Sequence, residues 1–114
     1  MEGSIAPLRE ITEICNKNSV QLLVDEAHAI GILGPEGRGL SFNFRSDITI
    51  ITGTFGKAFG SGGAFIASNS DVGEYIIQTS GAFRYTTALA PSLAAGALEA
   101  VSYTHLTLPT THDV

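Results

Sequence analysis

The sequence predicts an α/β fold, with a mostly parallel or mixed sheet flanked by helices, and three observations support this. The 114 residues allow one domain at most, with a limited core. Hydrophobic residues make up 44% of the chain and charged residues 15%, which is too apolar for disorder and typical of strands buried on both faces. Helical and extended patterns also alternate along the chain, as they do in α/β proteins.

Each element is predicted from its local pattern. The predicted helices cover residues 7–17, residues 71–79 and a segment that begins at Pro91. The predicted strands cover residues 20–25, 48–52 and 64–67, and we expect the first two to be central in the sheet. Apolar residues recur at helical spacing in the first helix, Pro7 suits its first turn, and Asn69 or Ser70 can cap the second helix. Turn residues such as GPEGRG, at positions 34–39, bound the apolar strands.

Charge and cysteine content argue against several functional classes. Eleven acidic and six basic residues give a formal net charge of -5, which offers no positive surface to nucleic acid or to an anionic membrane. The sequence has no run of about 18 apolar residues. The single cysteine, Cys15, allows no internal disulfide and no cysteine metal cluster. We therefore expect a cytoplasmic protein with no nucleic-acid partner, no membrane segment and no metal.

Residues 25–28 spell DEAH directly after an apolar run, which resembles the acidic box of nucleotide-driven helicases. Such a box holds magnesium beside a phosphate-binding loop of the form GxxxxGK followed by Ser or Thr. Here the Gly-Lys pair is Gly56-Lys57, Ile51 stands where the first glycine belongs, and Ala58 follows the lysine. The pair also comes after the box instead of before it. A DEAH-type nucleotide-binding module therefore stays only as an alternative that needs a loop outside these residues.

Three longer motifs carry a more specific resemblance. They are VDEAHAIGILGPEGRG at residues 24–39, DITIITGTFGKAFGSGGAFIAS at residues 47–68 and FRYTTALAP at residues 83–91. In order and spacing the chain resembles the α-oxoamine synthase family of pyridoxal-phosphate enzymes over residues 2–101. The resemblance implies part of the large domain of the aspartate-aminotransferase-like fold, fold type I. It also implies pyridoxal 5'-phosphate as cofactor and condensation of an amino acid with an acyl-thioester, usually with loss of carbon dioxide.

Lys57 lies in a glycine-rich segment directly after an apolar strand. Its amine can form a Schiff base with an aldehyde cofactor, and its small neighbours Gly56, Ala58 and Gly60 let a ligand approach the backbone. A solvated surface lysine is the alternative interpretation. The resemblance implies that Lys57 is the cofactor lysine, and that its freed amine removes the α-proton of the substrate.

Asp25 ends an apolar strand, where an unpaired carboxylate is costly, so it needs a cationic partner. The resemblance implies that this partner is the protonated pyridine nitrogen of the cofactor, with a helix cap or an ion pair to Arg38 as the alternatives. His28 matches a family histidine that hydrogen-bonds the phenolic oxygen of the cofactor and takes part in catalysis. A structural histidine is the alternative.

Three threonines match family positions that contact the cofactor phosphate. Thr54 is expected to bind the phosphate of its own subunit, and its alternative is an ordinary threonine at a strand end. Thr86 and Thr87 match a stretch that reaches the cofactor of the neighbouring subunit, which implies a homodimer with shared active sites. Glu26, Glu36 and Arg38 are interpreted as turn or surface charges, although the GPEGRG segment is expected to shape the pocket wall.

The resemblance further implies that the chain is a fragment. The family's N-terminal region, with the group that stacks on the pyridine ring, has no counterpart here. The C-terminal small domain, with the arginine expected to hold the substrate carboxylate, has none either. We interpret residues 1–101 as the central part of the large domain. Residues 102–114 form an atypical tail of suspected foreign or misread sequence, because helical spacing stops there and Pro109 follows.

Within the family, the hypothesis taken forward is 8-amino-7-oxononanoate synthase of biotin synthesis, with alanine and a pimeloyl-thioester as substrates. Glycine C-acetyltransferase, 5-aminolevulinate synthase and serine palmitoyltransferase are the alternatives, since the motifs have relatives in several branches. A different alternative is an inactive truncated fragment that associates through exposed sheet edges.

Overall fold

The computed structural model describes the backbone of residues 2–107 and the side chains of residues 2–103. Its centre is a three-stranded sheet in the order β1-β2-β3. The strands are β1 (Leu23–Asp25), β2 (Ile50–Thr54) and β3 (Ala64–Ser68). β1 and β2 are parallel, whereas β2 and β3 are antiparallel. The predicted α/β fold is therefore confirmed, with a mixed sheet.

Four α-helices and two short 3-10 helices surround this sheet in the described chain. The α-helices are α1 (Leu8–Lys17), α2 (Ser70–Thr79), α3 (Gly81–Arg84) and α4 (Pro91–Thr107), and the 3-10 helices are Pro35–Gly37 and Leu40–Phe44. The three predicted helices are confirmed as α1, α2 and α4. Of the three predicted strands, β3 lies closest to its expected bounds, β1 is shorter, and β2 ends at Thr54 instead of residue 52.

The helix starts follow from local hydrogen bonds. The side chain of Asn69 accepts a hydrogen bond of 2.9 Å from the backbone N–H of Val72 and so caps α2. Of the two predicted caps, Asn69 is therefore the one used, and Ser70 is the first helical residue. Ser80 caps the unpredicted helix α3 in the same way, by accepting from the N–H of Phe83.

Helix α4 continues to Thr107, so the expectation that helical structure stops at residue 102 is wrong. Residues 102–107 contain neither proline nor glycine, and nothing in their backbone chemistry interrupts the ladder of helical hydrogen bonds. Pro109 and the rest of the predicted tail, residues 108–114, lie outside the described residues. In the described part of the chain no helix is long and apolar enough to cross a membrane.

The core is small and one-sided. Among the apolar side chains, Leu8, Ala29, Ile48 and Ala97 are buried, whereas Leu23 of β1 is 58% exposed and Ile66 of β3 is 55% exposed. The prediction that the strands are buried on both faces is therefore wrong for the described residues. The prediction that the first two strands are central holds for β2 alone, because β1 has a single neighbour here. Three strands and a partial layer of helices are too few to cover both faces of a sheet.

Candidate active site

The parallel strands β1 and β2 bring their carboxyl ends to one edge of the sheet, which we call the carboxyl edge. Asp25, the last residue of β1, pairs with Thr52 of β2. Beyond this pair, the backbone N–H of Glu26 donates to the carbonyl of Thr52 at 2.8 Å. Thr54 ends β2 at the same edge. Ligands of α/β sheets bind outside such an edge, and the two predicted site residues Asp25 and Thr54 both lie there.

Asp25 is held by the turn that follows it. Its Oδ1 accepts a hydrogen bond of 2.8 Å from the backbone N–H of Ala27, and its side chain is exposed. The alternative of an ion pair with Arg38 is wrong, because Arg38 instead pairs with Glu36 at 2.5 Å. Among the described residues Asp25 has no cationic partner, although its carboxylate does stabilise the turn, as the cap alternative proposes.

His28 lies in the helical turn after β1. The N–H groups of Ala29 and Ile30 both donate to the carbonyl of Glu26 at 2.9 Å, and this turn carries the imidazole outward. The His28 side chain is exposed and makes no hydrogen bond within the described chain. His28 is thus presented beside the carboxyl edge in the turn that Asp25 begins.

Lys57 stands in a closed loop directly after β2. The N–H of Ser61 donates to the carbonyl of Phe55 at 2.8 Å, and within this loop the N–H of Gly60 donates to the carbonyl of Lys57 at 3.0 Å. Gly60 has a φ of +61°, a left-handed conformation that glycine adopts without strain. The loop is therefore a fixed turn of backbone that exposes the lysine.

Thr54 ties this loop to the sheet. Its hydroxyl donates to the carbonyl of Gly63 at 3.1 Å and accepts from the N–H of Gly56, also at 3.1 Å. These two hydrogen bonds support the alternative that Thr54 is a structural threonine at a strand end. The Thr54 hydroxyl hydrogen and the Gly56 N–H are thus both used inside the turn, and the hydroxyl must turn away from Gly63 before it can donate to an anion.

An apolar cavity of about 380 Å³ lies behind the Lys57 loop. Phe55 forms its base and packs against Phe59 and Phe65, with ring centroids 5.8 Å and 5.5 Å away. Gly37 and Arg38 of the GPEGRG segment line the same cavity, but none of the predicted site residues does, so the expected part of that segment in the wall of the cofactor pocket stays a prediction.

A larger cavity, of about 650 Å³, lies at the opposite edge of the sheet. Gln21 and Thr49, which precede β1 and β2, line it together with Ser68 at the end of the antiparallel β3. It contains none of the predicted site residues, so its size does not make it the candidate site.

Thr86 and Thr87 lie on the exposed segment between α3 and α4. The hydroxyl of Thr86 donates to the carbonyl of Ala82. Neither threonine is hydrogen-bonded to Asp25, Thr54 or Lys57 in the described chain, so the structure does not bring these two residues into the site of their own subunit. Helix α4, which follows this segment, contacts the glycine-rich run after Lys57, because the Ser61 hydroxyl donates to the carbonyl of Leu93 at 2.8 Å.

Glu26 is the residue that the sequence interpretation missed. Its side chain is 3% exposed, and its Oε1 accepts a hydrogen bond from the backbone N–H of Ser41. The interpretation of Glu26 as a surface charge is therefore wrong, whereas Glu36 and Arg38 do form an exposed surface pair. Strand alternation was the available signal, because a residue that follows an outward-facing Asp25 points to the other face.

A family model connects this geometry to known proteins. Residues 1–108 match the family described as aminotransferase class I and II. The chain belongs to this family. Its DEAH sequence is thus part of an aminotransferase-type domain, and the alternative of a helicase-like module loses its support.

Curated relatives narrow the family further. An 8-amino-7-oxononanoate synthase of Marinobacter nauticus is 41% identical over 98 residues, which are 83% of this chain and 25% of that protein. One from a Marinomonas species is 41% identical over 101 residues, 86% of this chain and 25% of that protein. The chain therefore spans about a quarter of the length of the curated relatives it matches.

Solved structures share the fold over nearly the whole chain. A serine palmitoyltransferase from S. paucimobilis with a bound aldimine of pyridoxal phosphate and myriocin has a TM-score of 0.84 at 34% identity, and the match covers 92% of this chain and 28% of that one. An 8-amino-7-oxononanoate synthase from Francisella tularensis has a TM-score of 0.78 at 35% identity, over 92% of this chain and 31% of that one. These relatives confirm the α-oxoamine synthase resemblance and the fold type I large domain.

Family membership and the cofactor-bound neighbour indicate pyridoxal 5'-phosphate as the cofactor. The residues at the carboxyl edge fit it chemically, since they offer a primary amine for an aldehyde, a carboxylate for a pyridinium, and a hydroxyl beside a glycine-rich turn for a phosphate. By contrast, the described residues hold no group of three or more His, Cys, Asp or Glu side chains that could bind a metal ion.

Proposed function

We propose that this chain is the central part of the cofactor-binding domain of a longer enzyme, and that this parent protein condenses an amino acid with an acyl-CoA or acyl-carrier-protein thioester. The observation that supports this best is the arrangement of the carboxyl edge. Asp25 and Thr54 end two adjacent parallel strands, and Lys57 lies on the closed loop that follows the second. When bound, the cofactor would supply an electron sink for the charge that develops on the substrate α-carbon.

Lys57 has two roles in this proposal. Its amine would hold the cofactor covalently at the aldehyde carbon, and when free the same amine would take the proton from the substrate α-carbon. The exposed position of Lys57 on a closed loop supports both roles, because the amine is accessible while the loop limits its movement.

Asp25 and His28 orient the ring. Asp25 would hold the cofactor ring by pairing its carboxylate with a protonated pyridine nitrogen, and His28 would hold it by donating a hydrogen bond to the phenolic oxygen. The common turn that presents both side chains supports this assignment. Asp25 would then gain the cationic partner that the described residues do not supply.

Thr54 binds the phosphate, and Thr86 and Thr87 bind that of the neighbouring subunit, so that two copies of the parent protein form a homodimer with shared active sites. Thr86 and Thr87 are exposed, and in the described chain neither is hydrogen-bonded to Asp25, Thr54 or Lys57, which supports a role across an interface. Neutral hydroxyls and backbone amides suffice for phosphate binding, so the net charge of -5 is no obstacle.

For the reaction, we propose 8-amino-7-oxononanoate synthase with alanine and a pimeloyl-thioester, as part of biotin synthesis in the cytoplasm. The names of the curated relatives support this choice. The similarity to a serine palmitoyltransferase, at 34% identity, keeps that reaction as the second candidate. Glycine C-acetyltransferase and 5-aminolevulinate synthase stay as further alternatives. The isolated 114 residues are expected to be inactive, since the rest of the family's domain is needed to cover the sheet.

The test is a substrate screen on the full-length parent protein supplied with pyridoxal phosphate. Alanine, glycine and serine are each combined with pimeloyl-, acetyl-, succinyl- and palmitoyl-thioesters, and thioester cleavage is followed. We expect turnover with alanine and pimeloyl-thioester, lost in Lys57→Ala and kept in Lys17→Ala, whose exposed lysine lies at the end of α1. Turnover with another pair would replace the proposed member, and no turnover with any pair would contradict the proposed reaction class.

A further inference from the structure

We propose that Glu26 is a positioning residue for the cofactor site. In this proposal, the hydrogen bond between its buried carboxylate and the backbone of Ser41 fixes the direction in which Asp25 and His28 are presented. The inference rests on the proposed function of those two residues. Glu26 itself is given no contact with the cofactor. Its side chain is buried, whereas the side chains of Asp25 and His28 are exposed.

The burial of Glu26 is the first observation. Glu26 and Ser41 are 3% and 2% exposed, and the Oε1 of Glu26 accepts from the N–H of Ser41 across 15 residues of chain. A buried polar group is costly unless it is hydrogen-bonded, so loss of this acceptor would leave the Ser41 N–H without its partner. The contact therefore joins the end of β1 firmly to the segment that begins the 3-10 helix Leu40–Phe44.

The backbone of Glu26 is fixed in the same place. Its N–H donates to the carbonyl of Thr52 at 2.8 Å, and its carbonyl accepts from the N–H groups of Ala29 and Ile30 at 2.9 Å. Glu26 thus joins the sheet on one side and the turn that carries His28 on the other. Since consecutive residues at a strand end face opposite ways, an inward Glu26 turns its neighbour Asp25 outward.

The loop of residues 31–39 is shaped around this carboxylate. It is closed by two backbone hydrogen bonds, from the N–H of Gly31 to the carbonyl of Gly37 at 2.7 Å and from the N–H of Gly39 to the carbonyl of Leu33 at 2.9 Å. A Cβ on Gly39 would lie 3.0 Å from both Cδ and Oε1 of Glu26. The absence of a side chain at Gly39 lets the backbone pass directly over the Glu26 carboxylate.

The test compares Glu26→Gln with Glu26→Asp in the full-length parent protein. Glutamine keeps an acceptor oxygen at the same reach without the charge, whereas aspartate keeps the charge but is one methylene too short for Ser41. We expect Glu26→Asp to weaken pyridoxal phosphate binding about tenfold and Glu26→Gln to stay within about twofold. Glu10→Asp, on the exposed face of α1, is the matched control and should bind like the wild type.

A second readout is amide hydrogen exchange of residues 26–33 without cofactor. Glu26→Asp should accelerate exchange in this turn, and Glu26→Gln should not. Equal cofactor affinity and exchange in wild type and Glu26→Asp, or a loss in Glu26→Gln as large as in Glu26→Asp, would overturn the proposal. Failure of the proposed function would appear separately, as absence of cofactor binding by the wild type, and the exchange result would still decide whether Glu26 braces the turn.

Discussion

The carboxyl edge and the open face of the sheet differ in how completely they are built. At the edge, the turns after β1 and β2 are closed by hydrogen bonds within the chain, including those of Asp25, Glu26 and Thr54. On the open face, which the strand register gives to both residues, Leu23 and Ile66 are 58% and 55% exposed. Backbone turns are satisfied by nearby residues, whereas burial of a sheet needs further layers of structure. The residues of this chain therefore suffice to shape the turns of the site. The burial that stabilises the sheet needs structure outside the described residues.

The largest effect expected at the edge is that of Asp25→Asn. This variant keeps the shape of the side chain and an acceptor for the Ala27 N–H, but it removes the charge that we propose pairs with the pyridinium of the cofactor. We expect kcat/KM of the parent protein to fall about a hundredfold or more. Asp71→Asn, in the first turn of α2, is the control and should change kcat/KM less than about twofold. A fully active Asp25→Asn would contradict the proposal that the Asp25 carboxylate at the carboxyl edge takes part in the reaction.

The open face is tested by Ile66→Lys in the parent protein. If further structure covers this face, the lysine places an unpaired charge in the interior, and we expect a loss of about 3 kcal/mol or more in the free energy of unfolding. Ile66→Val, the control, should cost about 1 kcal/mol. Urea unfolding measures both. If Ile66→Lys leaves the free energy of unfolding unchanged, the face stays exposed in the parent protein, and the open face does not depend on further structure for its stability.

Gly53 links the two regions, because it lies in β2 one residue before Thr54. A Cβ there would lie 2.4 Å from the end of the Phe65 ring, so the ring must move. We expect Gly53→Ala to lower the free energy of unfolding of the parent by about 1–3 kcal/mol. Gly73→Ala, within α2, meets only the Ser68 hydroxyl at 3.6 Å and should stabilise by about 0.5–1 kcal/mol. Thermal unfolding measures the stability of both variants. Equal changes in Gly53→Ala and Gly73→Ala would contradict the expectation that the Phe65 ring opposes a side chain at Gly53.

The smallest effect belongs to the cap of α2, away from both regions. Asn69→Ala removes the acceptor for the Val72 N–H and should cost about 1 kcal/mol without changing cofactor affinity. Asn69→Asp keeps an acceptor and should stay within about 0.5 kcal/mol of the wild type. A change in cofactor affinity in either variant would show that the start of α2 influences the structure of the carboxyl edge.

The same division explains what the sequence could predict. Helix α1, strand β3, the Asn69 cap and the start of α4 at Pro91 follow from patterns within a few residues, and they were predicted. Helix α3, with four residues, is too short to show helical periodicity. The burial of Glu26 depends on Ser41, 15 residues away, so no local pattern specifies its partner. The exposure of Leu23 was missed because apolar composition predicts a covered strand whether or not its cover is present.

For the site, the sequence placed Asp25 at the end of one strand and Lys57 a few residues beyond another, and the parallel pairing of β1 and β2 in the structure then put Asp25 and Thr54 at one edge. The chemical roles of Lys57, His28, Thr86 and Thr87 came from the family resemblance and remain predictions. Spacing along the chain states which residues are near a strand end, but not which of them a cofactor contacts.

The most direct test of the central claim is to locate the cofactor on the chain. The full-length parent protein is loaded with pyridoxal phosphate, its absorption is recorded near about 420 nm, and the complex is reduced with borohydride and digested for mass spectrometry. We predict that the band disappears on reduction and that the phosphopyridoxyl mass is found on the peptide that contains Lys57, with no adduct in Lys57→Ala and an unchanged one in Lys17→Ala. A folded wild-type protein with no band, or with the adduct on another lysine, would contradict the account.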